Sequence, residues 1–435
     1  MSPDSAVAAS PCDCDEPLNR DDVLAVSAAA AIARALAVPV RETATVDLGK
    51  ACGRVAAADL RAPRPMPFFD QSAMDGFAVR IADLAGQGPW RLAVSETVAA
   101  GDPPGGRRET GAASRIYTGA PVPAGADAVV KVEDCTDEGA FVAVAHRPRP
   151  GENIRTAGSD IARDALLVAA GTRIEPRHVG LLAANGYREL AVFRRPRVGV
   201  FSTGSELVSP QAPEAGRIFD SNRPMLIAMV ESAGGEAVDL GVVEDDFRAT
   251  AEFFARHASG CDMLVSSGAV SAGGRDFVRP AFEAAGGEIL AWKVALKPGK
   301  PALFGTLGAM AYFGLPGNPL ATFVGFELFV RAPVMLAGGV SDVQCRETPA
   351  LAGYSARSKP GRLEIVPARI ASRSPEGLPV LEAVGNGSSG TLHALAHADG
   401  LAVVPAHRDR IAPGDTLGFI AFSPRQAGLS GVGNT

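Results

Sequence analysis

The chain has 435 residues, enough for two to four domains, and its 47% hydrophobic and 21% charged content is that of an ordinary globular protein. Forty-nine glycines and 33 prolines point to many tight loops rather than a long helical bundle. A net charge of −6 leaves no broad basic face for a nucleic-acid backbone, so an anionic ligand must be held by a local group of lysines.

Residues 1–17 read as a flexible, polar, acidic tail without the basic-then-apolar order of a signal peptide. Cys12 and Cys14 read as tail thiols, and the remaining cysteines at 52, 135, 261 and 345 form no CxxC pair, which suits reduced thiols in the cytoplasm. A helix is expected from Asp21 to Ala37, with Asp21 and Asp22 as capping acids and Pro39 as its stop. Val23 to Val40 is the most membrane-like run, but it is mostly alanine and interrupted by Arg34, so no membrane span is expected. Residues 61–72 are proline-rich with exposed-looking aromatics and suit a linker or binding loop. From 75 to 160, short β-like runs (Phe77–Val79, Ala128–Val132, Phe141–Val144) between Gly/Pro turns predict a small β domain.

The texture changes at Pro196. Strands are predicted at Val198–Phe201, Ala237–Val243, Met263–Val265, Ile289–Val294 and Met310–Phe313, and helices over 223–233, 247–258, 276–285 and 320–336. Strands alternating with helices imply right-handed crossovers and a mainly parallel, doubly wound sheet. Beyond 341 the pattern is again β-like, with one short helix near 391–398.

Three glycine-rich loops follow three of these strands, at Ser202–Ser205, Ser266–Gly274 and Gly314–Pro319. They bring Ser202, Thr203, Gly204, Ser267, Gly268, Pro316, Gly317 and Asn318 to the carboxyl edge of the sheet, where open α/β sheets bind ligands and where backbone N–H groups suit phosphate. Lys293, Lys297 and Lys300 lie within eight residues, stiffened by Pro298 and Pro301, and read as an anion-binding loop. Asp75, Glu206, Asp245, Asp246 and Asp276 sit in or beside Gly/Ser-rich loops. They could hold Mg²⁺ on a substrate phosphate, although singly such residues are more often caps and turn formers. Gly299-Lys300 lacks the rest of a P-loop, Gly385–Gly390 has too little chain after it for a dinucleotide fold, and His393 with His397 lacks a third metal ligand.

These residues stand in a recognisable order. Phe69-Asp-Gln-Ser-Ala-Met-Asp75-Gly-Phe-Ala78, Thr118-Gly-Ala-Pro-Val-Pro123 and Gly151-Glu-Asn-Ile-Arg155 come first. Phe201-Ser-Thr-Gly-Ser-Glu206, Asp220-Ser-Asn-Arg223 and Ser266-Ser-Gly-Ala-Val-Ser271 follow, then Lys297-Pro-Gly-Lys-Pro301 and Gly314-Leu-Pro-Gly-Asn-Pro319. Together they resemble the molybdopterin molybdotransferase family from about residue 18 to 422. The resemblance implies insertion of molybdate into adenylylated molybdopterin with Mg²⁺, giving molybdenum cofactor and AMP. It also implies a cytoplasmic homodimer with a cleft shared between subunits, and transient contact with the molybdopterin adenylyltransferase and with molybdoenzymes or their chaperones.

On the same resemblance, a small β-rich domain (61–160) is inserted in an N-terminal helical linker domain (18–60 and 161–195). The α/β molybdopterin-binding domain (196–340), a small β-barrel-like domain (341–423) and a flexible tail (424–435) follow. Asp75, Asp276, Lys293 and Lys297 would be catalytic, with Asp75 and Thr118 supplied by the partner subunit. Glu206, Asp245 and Asp246 would serve the metal, and Arg362 and Ser389 would join Lys297 and Lys300 around molybdate. The sequence departs from the family pattern at Ala269, at Gly274-Arg275 before Asp276, at Leu320-Ala321 and at His393-Ala394. The alternative is therefore a non-catalytic or altered-specificity relative that carries molybdopterin or inserts tungstate.

Overall fold

The computed structural model describes residues 23–103, 109–208, 216–268, 277–343, 347–385 and 390–422. They form two compact units, the smaller made of Thr45–Cys52 and Ala58–Ala191 and the larger of the remainder.

The first helix, α1 (Val26–Ala35), belongs to the larger unit, where Ala29 and Ala33 are fully buried against the core. Alanines one turn apart give a flat face that lets the helix approach closely. Its N-cap is Ala25 and makes no side-chain cap bond, so the helix starts later than expected; Asp21 and Asp22 lie outside the described residues.

In the smaller unit, six strands form one sheet: β1 (Gly76–Val79), β2 (Trp90–Val98), β3 (Ala112–Ile116), β4 (Ala128–Lys131), β5 (Cys135–Asp137) and β6 (Phe141–Val144). Their order is β4-β1-β3-β2-β6-β5, with β2 and β3 parallel and the other pairs antiparallel. The proline-rich stretch 61–72 contributes two short pairings, Leu60–Arg61 with Leu166–Val168 and Gln71–Ser72 with Ile154–Arg155. Between them Phe68 and Phe69 stay exposed. Helix α2 (Pro176–Ala184) opens with proline, where an amide hydrogen is not needed.

The larger unit carries the α/β sheet. Its elements are β7 (Arg197–Thr203), α3 (Asn222–Ala233), β8 (Glu236–Val243), α4 (Phe247–His257), β9 (Met263–Ser267), α5 (Val278–Ala284), β10 (Glu288–Trp292), β11 (Leu296–Lys297), β12 (Leu303–Leu307) and β13 (Met310–Leu315). The sheet order is β8-β7-β9-β13-β12-β10. β8, β7, β9 and β13 are parallel, while β12, which the periodicity did not predict, runs antiparallel to both neighbours. Alternation sorts the side chains to two faces: Val198, Val200, Met263, Val265, Phe313 and Leu315 join one core, and Phe201, Leu264, Met310 and Tyr312 the other. The apolar run after β13 is continuous helix, α6 (Pro319–Gly325), a π turn (Phe326–Val330) and α7 (Arg331–Ala337). It is long and apolar enough to cross a bilayer, yet Leu320, Val324, Phe326, Phe329, Val330 and Val334 are at most 3% exposed in the first core.

The last strands are β14 (Glu347–Ala352), β15 (Leu363–Arg373), β16 (Pro379–Ala383), β17 (Gly400–Val404) and β18 (Thr416–Ala421), with α8 (Leu392–His397) before β17. They run β15-β16-β14-β18-β17, and β17 pairs back with β15 to close a small barrel. The eleven residues of β15 make this possible: Glu364–Ala368 pair with β17, and Ala368–Arg373 with β16. On its open side, β15 takes β11 as a parallel neighbour, with Leu296 opposite Leu363 and Lys297 opposite Glu364.

Candidate functional site

β7 leads through α3 to β8 on one side, and β8 returns through α4 to β9 on the other side of β7. The carboxyl ends of β7 and β9 therefore flank a topological switch point, where a crevice opens in such sheets. Gly204 and Gly268 sit there with φ of 146° and 100°, a region costly for any side-chain-bearing residue. A Cβ on Gly268 would stand 2.4 Å from the Thr203 carbonyl oxygen, so only glycine lets these two loops touch. The Gly268 amide donates to the Leu315 carbonyl at 3.1 Å, tying in the third loop.

Asn222, first residue of α3, fastens the arrangement. Its Nδ2 donates to Ser267 Oγ and to the Gly317 carbonyl, both at 2.7 Å. Thr322 Oγ1 donates to the Pro316 carbonyl at 2.6 Å. Two polar atoms here are buried without a hydrogen-bond partner, Thr203 Oγ1 and Asn222 Oδ1. Such a group costs about 1–3 kcal/mol, and at the mouth of a crevice it marks a place for a ligand's hydrogen bond. The neighbouring Ser202 donates its hydroxyl to Asp220 at 3.1 Å.

The carboxylates divide. Asp245 accepts from the Ser205 amide at 2.9 Å and from its hydroxyl at 3.2 Å, which fixes it beside exposed Glu206. Asp246 instead is the N-cap of α4, accepting from the Ala249 amide at 2.8 Å, an arrangement that accounts for it without a metal. Among the described residues no group of three or more His, Cys, Asp or Glu could hold a metal ion. Asp276 and Ser389 lie outside the described residues, as do Ala269, Gly274 and Arg275.

The lysine loop is closed on itself: the Val294 amide donates to the Lys300 carbonyl at 2.8 Å, and Lys293 donates to Ala302 at 3.3 Å. Lys293 has a φ of 66°, a left-handed conformation costing about 1–2 kcal/mol outside glycine, and its ammonium lies 4.2 Å from the centre of the Trp292 ring. A Cβ on Gly299 would stand 3.8 Å from the Ala321 carbonyl, so the loop lies along the first turn of α6, directly after Pro316-Gly317-Asn318. On its other side, Lys297 Nζ donates to Glu364 Oε1 at 2.7 Å, across the β11–β15 pairing. Arg362, one residue before β15, is only 7% exposed.

In the smaller unit, Asp75 and Thr118 are joined. Asp75 Oδ1 accepts from the Thr118 amide and from its hydroxyl, both at 2.7 Å. These two donors, the amide first, hold the Asp75 carboxyl below the usual carboxylate range, so it stays ionised at an exposed position. The motif's glycine is explained by the sheet: a Cβ on Gly76 would lie 1.9 Å from the Val130 carbonyl oxygen of the next strand. His393 and His397, one turn apart, stack with ring centres 4.1 Å apart, with His397 Nδ1 2.9 Å from the His393 carbonyl.

The structure thus places the first and third glycine loops, the second as far as Gly268, Asp245 with Glu206, and the lysine loop in one unit, and Asp75 with Thr118 in the other. Asn222, Thr322, Ser358 and Glu364 were not singled out from sequence. Asn222 lies in Asp220-Ser-Asn-Arg223, so its motif was visible; Glu364 carries no local signal at all.

Three family models match in succession: the MoeA N-terminal region (domain I and II) over residues 24–186, the probable molybdopterin binding domain over 199–336, and the MoeA C-terminal region (domain IV) over 350–422. A molybdopterin molybdenumtransferase 2 of Mycobacterium tuberculosis is 38% identical over 383 residues, covering 86% of this chain and 93% of that protein. A molybdopterin molybdenumtransferase of Haemophilus influenzae is 33% identical, covering 88% and 94%. Among solved structures, a molybdopterin biosynthesis MoeA protein of Pyrococcus horikoshii OT3 superposes with a TM-score of 0.80 at 26% identity, over 92% of this chain and all of that one. Three consecutive domain matches and relatives matched over nearly their whole length leave one conclusion: this chain belongs to the molybdopterin molybdenumtransferase family.

Proposed function

We propose that the chain transfers molybdenum, as molybdate, into adenylylated molybdopterin and releases AMP. It is a transferase of molybdenum cofactor biosynthesis. The observation that supports the reading is the lysine loop, whose Gly299 lies along the first turn of α6 just after the third glycine loop and whose Lys297 is tied to the barrel by Glu364, so that positive charge is carried on a segment neighbouring the phosphate-type loops. Bringing an oxyanion to an anionic pterin requires local positive charge, and fixed ammonium groups supply it without reorganisation at the moment of reaction.

Lys293 and Lys297 serve as the catalytic cations in this reading, with Lys300 and Arg362 adding charge toward molybdate. The glycine loops allow backbone amides to approach phosphate. Mg²⁺ typically takes one or two carboxylates beside substrate phosphates and keeps several waters. The donor set of Asp245, pinned by Ser205, with neighbouring Glu206 fits that requirement, and the ion would neutralise charge on the phosphoanhydride. Asp276 is proposed as a further carboxylate of the site.

A cytoplasmic homodimer is part of the proposal, each cleft being completed by Asp75 and Thr118 of the partner subunit. Exposed Met74 and Tyr117 beside that pair support a protein-covered position. Transient contacts with the adenylyltransferase that makes the substrate, and with molybdoenzymes or their chaperones, are part of the same proposal. The carrier alternative rested on residues 269–275, and nothing among the described residues favours it. Purified protein with Mg²⁺, molybdate and adenylylated molybdopterin is expected to release AMP; release no faster than in a no-enzyme control would end this reading.

A further inference from the structure

Lys297 does not stand alone. Its ammonium donates to Glu364 Oε1 at 2.7 Å, while Glu364 Oε2 accepts from Ser358 Oγ at 2.8 Å. The Glu364 side chain is 14% exposed and that of Lys297 34%, so the pair sits at the edge of the interior rather than in free solvent. Ser358 is itself 7% exposed. Both carboxylate oxygens are therefore clamped, one by the lysine loop and one by a buried hydroxyl. The backbone reinforces the clamp, because Lys297 and Glu364 are register partners in β11 and β15, and the Leu363 amide donates to Ala295 at 2.9 Å.

An ammonium has three N–H donors. A long flexible lysine in water explores many rotamers and loses that freedom only when something holds it. Here one N–H is committed to Glu364, which fixes the nitrogen and leaves two donors. A carboxylate beside an oxyanion site is electrostatically unfavourable to the anion. Its presence at Lys297 therefore calls for a compensating role, and geometry supplies one.

We propose that Glu364 is a positioning residue for oxyanion capture: held by Ser358, it sets the Lys297 ammonium so that its two remaining N–H groups face the incoming tetrahedral oxyanion. The inference rests on the assignment of Lys297 to the molybdate pocket and adds to it a residue 67 positions away, together with Ser358. Tyr354 stands in the same cluster, its hydroxyl buried without a hydrogen-bond partner and pushed up to about 12 by burial, with the Glu364 charge adding.

The test compares Glu364→Ala, Glu364→Gln and Ser358→Ala with the unaltered protein, measuring molybdate and tungstate binding by calorimetry and the separate KM values for molybdate and the pterin substrate. Glutamine keeps the geometry, its Oε1 accepting from Lys297 and its amide donating to Ser358. Glu364→Ala is expected to raise the molybdate KM and dissociation constant about tenfold, because the freed Lys297 ammonium must be ordered again on binding at a cost that exceeds the relief of the opposing carboxylate charge, with the pterin KM unchanged. Glu364→Gln, which keeps the clamp and removes the opposing charge, is expected to bind molybdate at least as tightly as the unaltered protein, and Ser358→Ala to show a smaller rise than Glu364→Ala, about two- to fivefold, in the same constant. A purely structural glutamate would lower kcat and thermal stability while leaving the molybdate KM in place, and that result overturns the proposal. So does a glutamine variant as impaired as alanine. Ser358→Ala keeps the question open to decision if Glu364→Ala fails to fold. Should the unaltered protein bind neither oxyanion, the assignment of Lys297 falls first and this proposal with it; unaltered binding without any effect of the variants overturns the Glu364 role alone.

Discussion

Replacing Asn222 tests the construction of the crevice most directly. In Asn222→Ala the donors to Ser267 Oγ and the Gly317 carbonyl vanish. Two neutral hydrogen bonds at about 1 kcal/mol each give a loss of about 2 kcal/mol, to which a small cavity adds. Asn222→Asp keeps the shape but turns the donor atom into an acceptor facing the Gly317 carbonyl. An ionised carboxylate there would be buried with an opposing dipole, and the loss at pH 7 rises to about 3–5 kcal/mol. The folded protein favours the protonated acid, which can still donate, so its folded pKa lies above the unfolded value of about 3.9. The extra stability is fully present below that unfolded value and is lost as pH rises through the folded one. Denaturant titrations read this through Trp292 in a Trp90→Phe background, since the chain has two tryptophans and Trp90 lies in the other unit. Aspartate should be close to alanine at pH 4 and clearly worse at pH 7, with AMP release reduced in both. Equal midpoints for the two variants at both pH values would refute the donor assignment at Nδ2, and with it the claim that this amide ties the loops together.

Thr118→Ala removes the hydroxyl donor to Asp75 and leaves the amide bond. Asp75 should then titrate at higher pH, because a depressed carboxyl loses part of what depresses it, and the acid limb of the AMP-release profile should move up in pH; an unmoved limb would separate Asp75 from the reaction. Gly76→Ala would drive a Cβ into the Val130 carbonyl within the β4-β1-β3 pairing. The smaller unit should lose about 3 kcal/mol or more, read by Trp90 fluorescence in a Trp292→Phe background, and an unchanged midpoint would contradict the close approach.

Much of the architecture was legible locally. The strand at Met263 and the helix before Ala233 announce themselves by their apolar residues and by Gly268 and Gly234, which end them, and the short helix near 391–398 by its apolar residues alone. So did the phosphate-type loops, because a glycine at φ of 146° or 100° is needed wherever the backbone must turn sharply after a strand. The lysine loop stood out for the same reason, as three cations in apolar sequence. What the local pattern could not carry was direction and partner. The strand Leu303–Leu307 reads the same whether parallel or antiparallel, and only pairing with β13 and β10 fixes it. Asp246 could be cap or ligand by its sequence, with a cap the commoner role, and the start of α4 beside it decides for the cap. Glu364 is one more acidic residue in a strand until barrel closure and the β11 pairing bring Lys297 to it. The sequence by itself therefore determined most strands and helices of the α/β unit and its anion-seeking loops, through forces that act along a few residues, but not β12 or the start of α1. Tertiary structure alone decided which charges meet, because the partners of Asn222 and Lys297 lie 45 to 95 positions away and are joined only when the sheets form.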